Sequence, residues 1–142
     1  ILLVGPSDPE YHNKLKELIG VNGFTNRVVW IGYTPYPHVP IVYQVSDVFV
    51  LPSSYEGLPK AVMQGLACSI PCIVSGFRLS TEISGLEYLK DTTPEEIARS
   101  ILEVSEEHIK VDVGKVVNLY SWDERVKKID EIYDFAKKNY LL

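Results

Sequence analysis

Short apolar runs alternate along this chain with longer stretches in which apolar residues recur every three or four positions. Each run spans four or five residues and is closed by glycine, proline or serine. Runs of this kind are typical of strands that are buried on both faces of a parallel sheet. They predict strands at residues 1–4, 28–31, 48–51 and 70–74, and a weaker one near residues 87–89.

Helix-start signals lie between the predicted strands. Asp8 followed by Pro9 is typical of an N-cap and a first helical turn. Thr93 and Ser121 each open a capping box, in which the cap hydroxyl and a glutamate three residues later bond each other's backbone amides. Further helices are predicted at residues 41–44, 59–67 and 111–119.

The closing helix, which follows Ser121, is predicted to be amphipathic. Its apolar residues fall on one stripe that we expect to pack against the core. The stripe consists of Trp122, Val126, Ile129, Tyr133, Ala136 and Tyr140. The same reasoning places Trp30 in the core.

Strands that alternate with helices through short loops predict an α/β fold, a Rossmann-like doubly wound parallel sheet in one domain of residues 1–142. Ligands of such sheets bind beyond the carboxyl ends of the strands. We therefore expect the site to be built from the four loops at those ends. These loops are Gly5-Pro6-Ser7, Gly32-Tyr33-Thr34, residues 52–59 and Ser75-Gly76.

Composition narrows the classes of function. The net charge of −5 argues against a nucleic-acid partner, which needs a basic face. The longest apolar runs are far shorter than the ~20 residues of a membrane span. Cys68 and Cys72 are expected to be small core residues, and the three scattered histidines have no metal-ligand spacing. The first residues are expected to be a core strand without a leader, in a cytoplasmic protein.

The segment from Val48 to Ser75 is the best candidate for chemistry. A strand enters a polar loop that contains Ser54 and Glu56-Gly57, and a helix then begins near Pro59. The free amides of a helix N-terminus favour a phosphate. Gly57 lets a ligand come close to the backbone, and Glu56 can accept hydrogen bonds from sugar hydroxyls. Many strand–loop–helix units bind nothing, so the pattern alone leaves open whether this segment binds a ligand.

One helix face of that segment carries two further candidates. Lys60 and Gln64 are four residues apart and share this face. Lys60 can add positive charge near a diphosphate, and Gln64 can reach the hydroxyls of a ribose.

The same segment resembles the core motif of the retaining glycosyltransferases of GT-B architecture, group 1 (family 4), which include glycogen synthases and lipopolysaccharide mannosyltransferases. The matching residues are Pro52-Ser53, Glu56-Gly57, Gly65-Leu66-Ala67 and Pro71-Cys72-Ile73-Val74. Ile31-Gly32-Tyr33, Ser46-Asp47-Val48 and Tyr120-Ser121-Trp122 resemble three other family motifs. The resemblance covers nearly the whole chain.

The resemblance implies the C-terminal, donor-binding half of such an enzyme, which transfers a sugar from a nucleoside-diphosphate sugar with retention. Glu56 would contact the donor sugar or support the transition state, and the amides of Leu58 to Lys60 would meet the diphosphate. Gly32-Tyr33 would border the base, with Gly5 nearby. The family needs no metal or other cofactor. An acceptor glycan or lipid would bind an N-terminal domain outside this chain, and the longer protein would be cytoplasmic or peripheral to a membrane.

The chain also departs from the family pattern. Gln64 stands where the motif has a second glutamate, and an amide offers a ribose diol one acceptor group rather than a charged carboxylate. The family's first strand and its basic phosphate-binding residues are missing, so we expect no complete active site in this chain alone. Glu82 aligns loosely with a family glutamate, and Arg78 is expected to be solvated.

Two other functions stay open at this point. The chain could be a nucleotide-sugar-binding module that has lost catalysis, for which Gln64 is the visible hint. It could also belong to a nucleotide-sugar epimerase of the same architecture.

Overall fold

Parallel strands joined by helices make up the structure, in agreement with the predicted α/β class. The computed structural model describes residues 1–140. The strands form a two-stranded and a three-stranded sheet rather than the single sheet that the pattern predicts. The chain divides into one compact unit of residues Ile1–Val39 and a second that begins at Pro40, and each is described by itself.

The first unit is a β–α–β arrangement. Its two strands are parallel, with Leu2 opposite Val29 and Leu3 opposite Trp30. The Asp8 side chain caps the helix by accepting hydrogen bonds from the amides of Glu10 and Tyr11, as predicted. The elements are β1 (Leu2–Val4), α1 (Pro9–Val21) and β2 (Val29–Gly32), with single 3₁₀ turns at Thr25–Arg27 and Tyr36–His38.

The second unit is built around a three-stranded parallel sheet, with Phe49 opposite Cys72 and Cys72 opposite Leu86. A short helix, α2 (Val39–Gln44), begins at the boundary between the units. The other elements are β3 (Phe49–Pro52), α3 (Lys60–Ala67), β4 (Cys72–Ser75), β5 (Leu86–Tyr88), α4 (Pro94–Glu107), α5 (Val113–Tyr120) and α6 (Trp122–Tyr140). Most bounds lie within two residues of the predicted ones.

The central strand of this sheet, β4, is buried on both faces. Cys72 and Val74 point to one side, where they join a cluster with residues of α3, β5 and α5. Ile73 points to the other side and packs with Val104 of α4. Because side chains alternate along a strand, the apolar run of β4 fills two cores at once. Helices therefore cover the sheet from both sides, as a doubly wound arrangement requires.

The capping boxes are only half formed. The Thr93 hydroxyl accepts the amide of Glu96, but the Glu96 carboxylate accepts from the Lys90 amide instead of the Thr93 amide. The Thr93 amide donates to Asp91. The nearer carboxylate of Asp91, two residues away, takes the bond that the pattern assigns to Glu96.

The apolar stripe of α6 is exposed, which contradicts the expectation that it packs on the core. Trp122 is 81% exposed and Tyr133 is 63% exposed. No residue of α6 is buried, although Arg125 lies over the Tyr120 ring of α5 at 5.3 Å. Amphipathic spacing shows which face is apolar but not whether another element covers it. Trp30, the other expected core residue, is half-buried and stacks on His12 at 4.1 Å.

Candidate functional site

The loop between β3 and α3, residues 53–59, lies at the carboxyl end of β3, where the strand pattern predicts a ligand site. Ser54 and Gly57 are exposed and Glu56 is half-buried. The Tyr55 side chain is 85% exposed. The loop therefore presents its polar residues at the surface, next to the start of a helix.

Three hydrogen bonds fix this loop. The Ser53 hydroxyl donates to Oε1 of Glu56 at 2.8 Å. The Ser75 hydroxyl donates to the Ser53 carbonyl at 2.7 Å, and the Glu56 amide donates to the Gly76 carbonyl at 2.9 Å. Glu56 is thus held both by its own loop and by the end of β4, the most buried strand.

Gly76 is required by this arrangement. Its φ of +83° lies in the left-handed region that favours glycine. A Cβ at this position would lie 2.7 Å from the Ser53 carbonyl oxygen and 2.9 Å from the Tyr55 nitrogen. The loop after β3 can approach the end of β4 this closely only because residue 76 has no side chain.

The N-terminus of α3 supplies amide donors. Pro59 is the N-cap and makes no side-chain capping bond. The Val62 and Met63 amides bond the Pro59 carbonyl inside the helix. Proline has no N–H, so Pro59 cannot donate to a diphosphate as the resemblance implies. Of residues 58–60, only Leu58 and Lys60 can do so.

The face of α3 that carries Lys60 and Gln64 is partly open. Lys60 is exposed and Gln64 is half-buried. Within the described chain the Gln64 side chain makes no hydrogen bond to the protein, so its amide is available to a ligand.

The start of α3 rests on Tyr43 of α2. The Tyr43 hydroxyl donates to the Ala61 carbonyl at 2.8 Å. Burial, and then the nearby Cys72 and Cys68, raise the pKa of Tyr43 to about 12. Burial likewise raises the pKa of Cys72 to about 12. Both groups pack against the buried side of α3, and both stay protonated at neutral pH.

The remaining predicted site residues lie in the first unit. The Gly5 amide donates to the Gly32 carbonyl at 2.8 Å, which joins the carboxyl ends of β1 and β2. Gly5 and Gly32 have φ values of +116° and +69°, where glycine is favoured. Tyr33 follows and is 77% exposed. These three residues come together within their own unit, and Ser54 to Gln64 come together within the other.

Sequence reasoning missed the roles of Ser53, Ser75 and Gly76. Ser53 was recognised only as part of a motif, and Ser75-Gly76 only as a strand end. A serine three residues before a glutamate is a signal for the first bond, since a short hydroxyl reaches the i+3 side chain in a turn. Nothing local signals the bonds to the end of β4, because those partners are twenty or more residues away.

Arg78 and Glu82 stay outside this loop's hydrogen bonds. The Arg78 guanidinium lies over the Tyr88 ring, 4.5 Å from its centroid, and the residue is exposed as expected. Glu82 is exposed. Neither residue gains a role in the site from its position.

A concavity lies between β5 and α4 and contains none of the predicted site residues. It is lined by charged side chains that largely satisfy one another. Arg99 donates to Glu96 and Glu103. The bond from Arg99, and then the bond from the Lys90 amide, hold the pKa of Glu96 below its usual range. Burial, and then Glu107, raise the pKa of Glu87.

Over residues 1–140, no three histidine, cysteine, aspartate or glutamate side chains are grouped so that they could hold a metal ion. None of the helices described is both long and apolar enough to cross a bilayer.

Parallel strands, helices on both faces and a loop–helix site at the carboxyl edge define the class as a doubly wound α/β protein. The solved structure of sucrose-phosphate synthase from Thermosynechococcus elongatus has the same fold over 94% of this chain and 37% of that protein, with a TM-score of 0.73. The two are 20% identical, so this likeness concerns the fold, which is that of the GT-B glycosyltransferases.

The profile of the family described as "Glycosyl transferases group 1" matches residues 1–115, and the chain belongs to this family. It is 31% identical over 106 residues to the UDP-Gal:alpha-D-GlcNAc-diphosphoundecaprenol alpha-1,3-galactosyltransferase of Escherichia coli, which covers 67% of this chain. An uncharacterized glycosyltransferase of Methanocaldococcus jannaschii is 25% identical over 146 residues, which cover 94% of this chain. The chain spans 27% and 37% of these two relatives' lengths.

Proposed function

We propose that this chain is the donor-binding domain of a retaining glycosyltransferase that uses a nucleoside-diphosphate sugar. The observation that carries the proposal is the loop of residues 53–59. It places the Glu56 carboxylate, Gly57 and the open N-terminus of α3 together at the carboxyl edge of the sheet. Membership of the family and the donor named for the E. coli relative, UDP-Gal, agree with it.

The diphosphate is assigned to the start of α3. The Leu58 and Lys60 amides and the positive end of the helix favour an anion there. The exposed Lys60 ammonium adds a full positive charge. In sugar transfer the leaving diphosphate gains negative charge, so these groups stabilise the transition state as well as the bound donor.

The sugar is assigned to Glu56, whose fixed carboxylate accepts hydrogen bonds from hydroxyl groups. Holding the sugar in one orientation lowers the entropic cost of the reaction. That Gly32-Tyr33 border the base, with Gly5 nearby, stays a prediction from the resemblance. The proposal needs no metal or other cofactor.

Gly57 provides an independent argument that a ligand passes close to this loop. Its φ lies outside the left-handed region, and a Cβ there would meet no atom within 4 Å. The fold itself therefore does not require glycine at this position. Passage of the proposed donor within contact distance of the backbone is the reason that we assign to this glycine.

The complete enzyme is proposed to be longer than this chain. The chain spans only 27% and 37% of the lengths of the two relatives. The acceptor-binding domain is assigned to the part of such a longer protein outside residues 1–142, so this chain alone is expected to be inactive in transfer. A cytoplasmic location, peripheral to a membrane in the longer protein, stays a prediction.

Titration of the chain with UDP, GDP and ADP, followed by calorimetry and amide NMR, tests the proposal. We expect saturable binding of one of them with a Kd on the order of millimolar or tighter, and shifts at residues 32–33 and 56–64. Gly57→Ala should weaken that binding by about tenfold or more while leaving the unfolding midpoint in urea near that of the unchanged chain. Equal nucleotide affinity in both chains would contradict the role assigned to this glycine.

A non-catalytic binding module is the second candidate, and Gln64 is the observation that favours it. Its half-buried amide replaces the carboxylate of the family motif. Both candidates predict nucleotide binding, so the assay that separates them is sugar transfer by the longer protein. Release of a free sugar isomer without an acceptor would instead identify an epimerase.

A further inference from the structure

We propose that Ser53 is a positioning residue that holds the Glu56 carboxylate in the orientation in which it receives the donor sugar. This inference rests on the proposed function and deepens it. It adds a residue that acts on the sugar through Glu56 and does not touch the sugar itself.

The geometry gives the two carboxylate oxygens different tasks. Oε1 of Glu56 accepts the Ser53 hydroxyl at 2.8 Å, and both side chains are half-buried. Oε2 makes no hydrogen bond to any residue between 1 and 140. A carboxylate can accept several hydrogen bonds, so fixing one oxygen leaves the other able to accept from a sugar hydroxyl.

Ser53 is itself fixed by a distant element. Its carbonyl accepts the Ser75 hydroxyl at 2.7 Å, and the Glu56 amide donates to the Gly76 carbonyl at 2.9 Å. Both ends of the segment 53–56 are therefore tied to the end of β4, which pairs with β3 and β5. A bond between two anchored residues restricts the carboxylate more than a bond within a free loop.

Only a short side chain with a hydroxyl group meets these requirements at position 53. Alanine removes the donor and frees the carboxylate to rotate. Threonine retains the hydroxyl, and cysteine retains the size but is a weak donor. This series separates the effect of losing the hydrogen bond from the effect of changing the size of the side chain.

The test is the extra affinity that the sugar confers. Kd values are measured by calorimetry for UDP and UDP-galactose, with GDP and GDP-mannose as a second pair, on the unchanged chain and on Ser53→Ala, Ser53→Thr and Ser53→Cys. The ratio of interest is the Kd of the plain diphosphate divided by the Kd of the nucleotide sugar, and a larger ratio means that the sugar adds more affinity. For the pair that binds, we expect Ser53→Ala and Ser53→Cys to lower this ratio by about tenfold. The affinity for the plain diphosphate should stay within about twofold, and Ser53→Thr should preserve the ratio.

Ser105→Ala is the matched control. Ser105 lies on α4, and its hydroxyl also donates one hydrogen bond, to the Ile101 carbonyl at 2.7 Å. It should change neither Kd.

The outcomes distinguish the possible failures. Equal weakening of diphosphate and nucleotide sugar by Ser53→Ala would make Ser53 a purely structural residue and overturn the inference. An unchanged ratio in Ser53→Ala and Ser53→Cys would overturn it too, with the proposed function intact. If Ser53→Ala does not fold, Ser53→Cys and Ser53→Thr are compared instead. A lower Kd ratio in Ser53→Cys than in Ser53→Thr supports the inference, and equal ratios overturn it. Failure of the unchanged chain to bind any nucleotide would overturn the proposed function together with the inference.

Discussion

At the residue scale, the loop after β3 shows how short side chains determine where one carboxylate lies. Ser53, Ser75 and Gly76 take no part in the chemistry that we propose, yet each bears on the position of Glu56. Ser53 and Ser75 each donate a hydrogen bond from the hydroxyl group, and Gly76 has no Cβ that would block the close approach of the loop. A motif match identifies Glu56 as a candidate, but these contacts explain why it has one orientation.

Gln64→Glu tests the main departure from the family pattern at this scale. A charged acceptor contributes ~1.5–3 kcal/mol to a hydrogen bond and a neutral one ~0.5–1.5 kcal/mol. We therefore expect Gln64→Glu to tighten nucleotide binding by up to about tenfold. The Kd from calorimetry measures this change. The nucleoside with the same base as the nucleotide that binds serves as the probe that contains ribose without phosphate.

Gln64→Asn is the matched variant, since it shortens the side chain without adding charge and should weaken binding. If Gln64→Glu weakens binding to the same degree, the ribose does not lie at this position.

At the element scale, α3 is positioned by close packing against its neighbours. Gly65 faces Tyr43 of α2 and Cys72 of β4. Val62 and Leu66 of the same helix are fully buried in the cluster that contains Cys72 and Val74. The helix whose N-terminus is assigned to the diphosphate is therefore fixed by its opposite, buried face.

Gly65→Ala should destabilise the second unit. The added Cβ would lie 2.9 Å from the Cys72 sulfur and 3.2 Å from Cε1 of Tyr43, and overpacking of this kind costs about 1–3 kcal/mol. The free energy of unfolding in urea measures it. The intrinsic helix preference works in the other direction, since alanine is favoured over glycine by roughly 1 kcal/mol in a helix.

A double-mutant cycle isolates the contact. Cys72→Ala removes the sulfur that the new methyl group would meet, so the pair Gly65→Ala and Cys72→Ala should lose less stability than the sum of the single changes. Strict additivity would show that the sulfur is not the source of the strain.

At the scale of the whole molecule, the perturbed groups in the core make stability depend on alkaline pH. The pKa of Cys72 is raised from 9.0 to about 12 and that of Tyr43 from 10.0 to about 12, in both cases chiefly by burial. Above pH 9 the unfolded chain releases protons that the folded chain keeps. Stability is therefore fully present below pH 9 and falls as the pH rises toward 12.

We expect the free energy of unfolding to fall by about 1.4 kcal/mol per pH unit for each proton retained by the folded state. Urea unfolding at pH 8, 9, 10 and 11 measures it. Tyr43→Phe should flatten the decline above pH 10, and Cys72→Ala should flatten it above pH 9. Tyr133→Phe, at an exposed position on α6, is the control and should leave the slope unchanged. Parallel declines in all four chains would assign the pH dependence to other groups.

The sequence by itself determined most of the elements and predicted where the candidate site lies. Apolar runs closed by glycine, proline or serine predicted β1 to β4, and a weaker run near residues 87–89 predicted β5. The caps at Asp8 and Thr93 placed the starts of two helices. These are local signals, because a strand pattern and a helix cap depend on residues within four positions of one another. The segment that contains Glu56-Gly57 was found in the same way.

Only the tertiary structure decided which groups fix that site and which apolar faces are covered. The decisive hydrogen bonds join residues 18 to 22 positions apart. Tyr43 bonds Ala61 of α3, and Ser75 and Gly76 bond the loop of residues 53–59. The stripe of α6 has the spacing of a buried face and is nevertheless exposed. Burial and long-range hydrogen bonds depend on which elements meet in space, and the spacing of residues along one element carries no information about that.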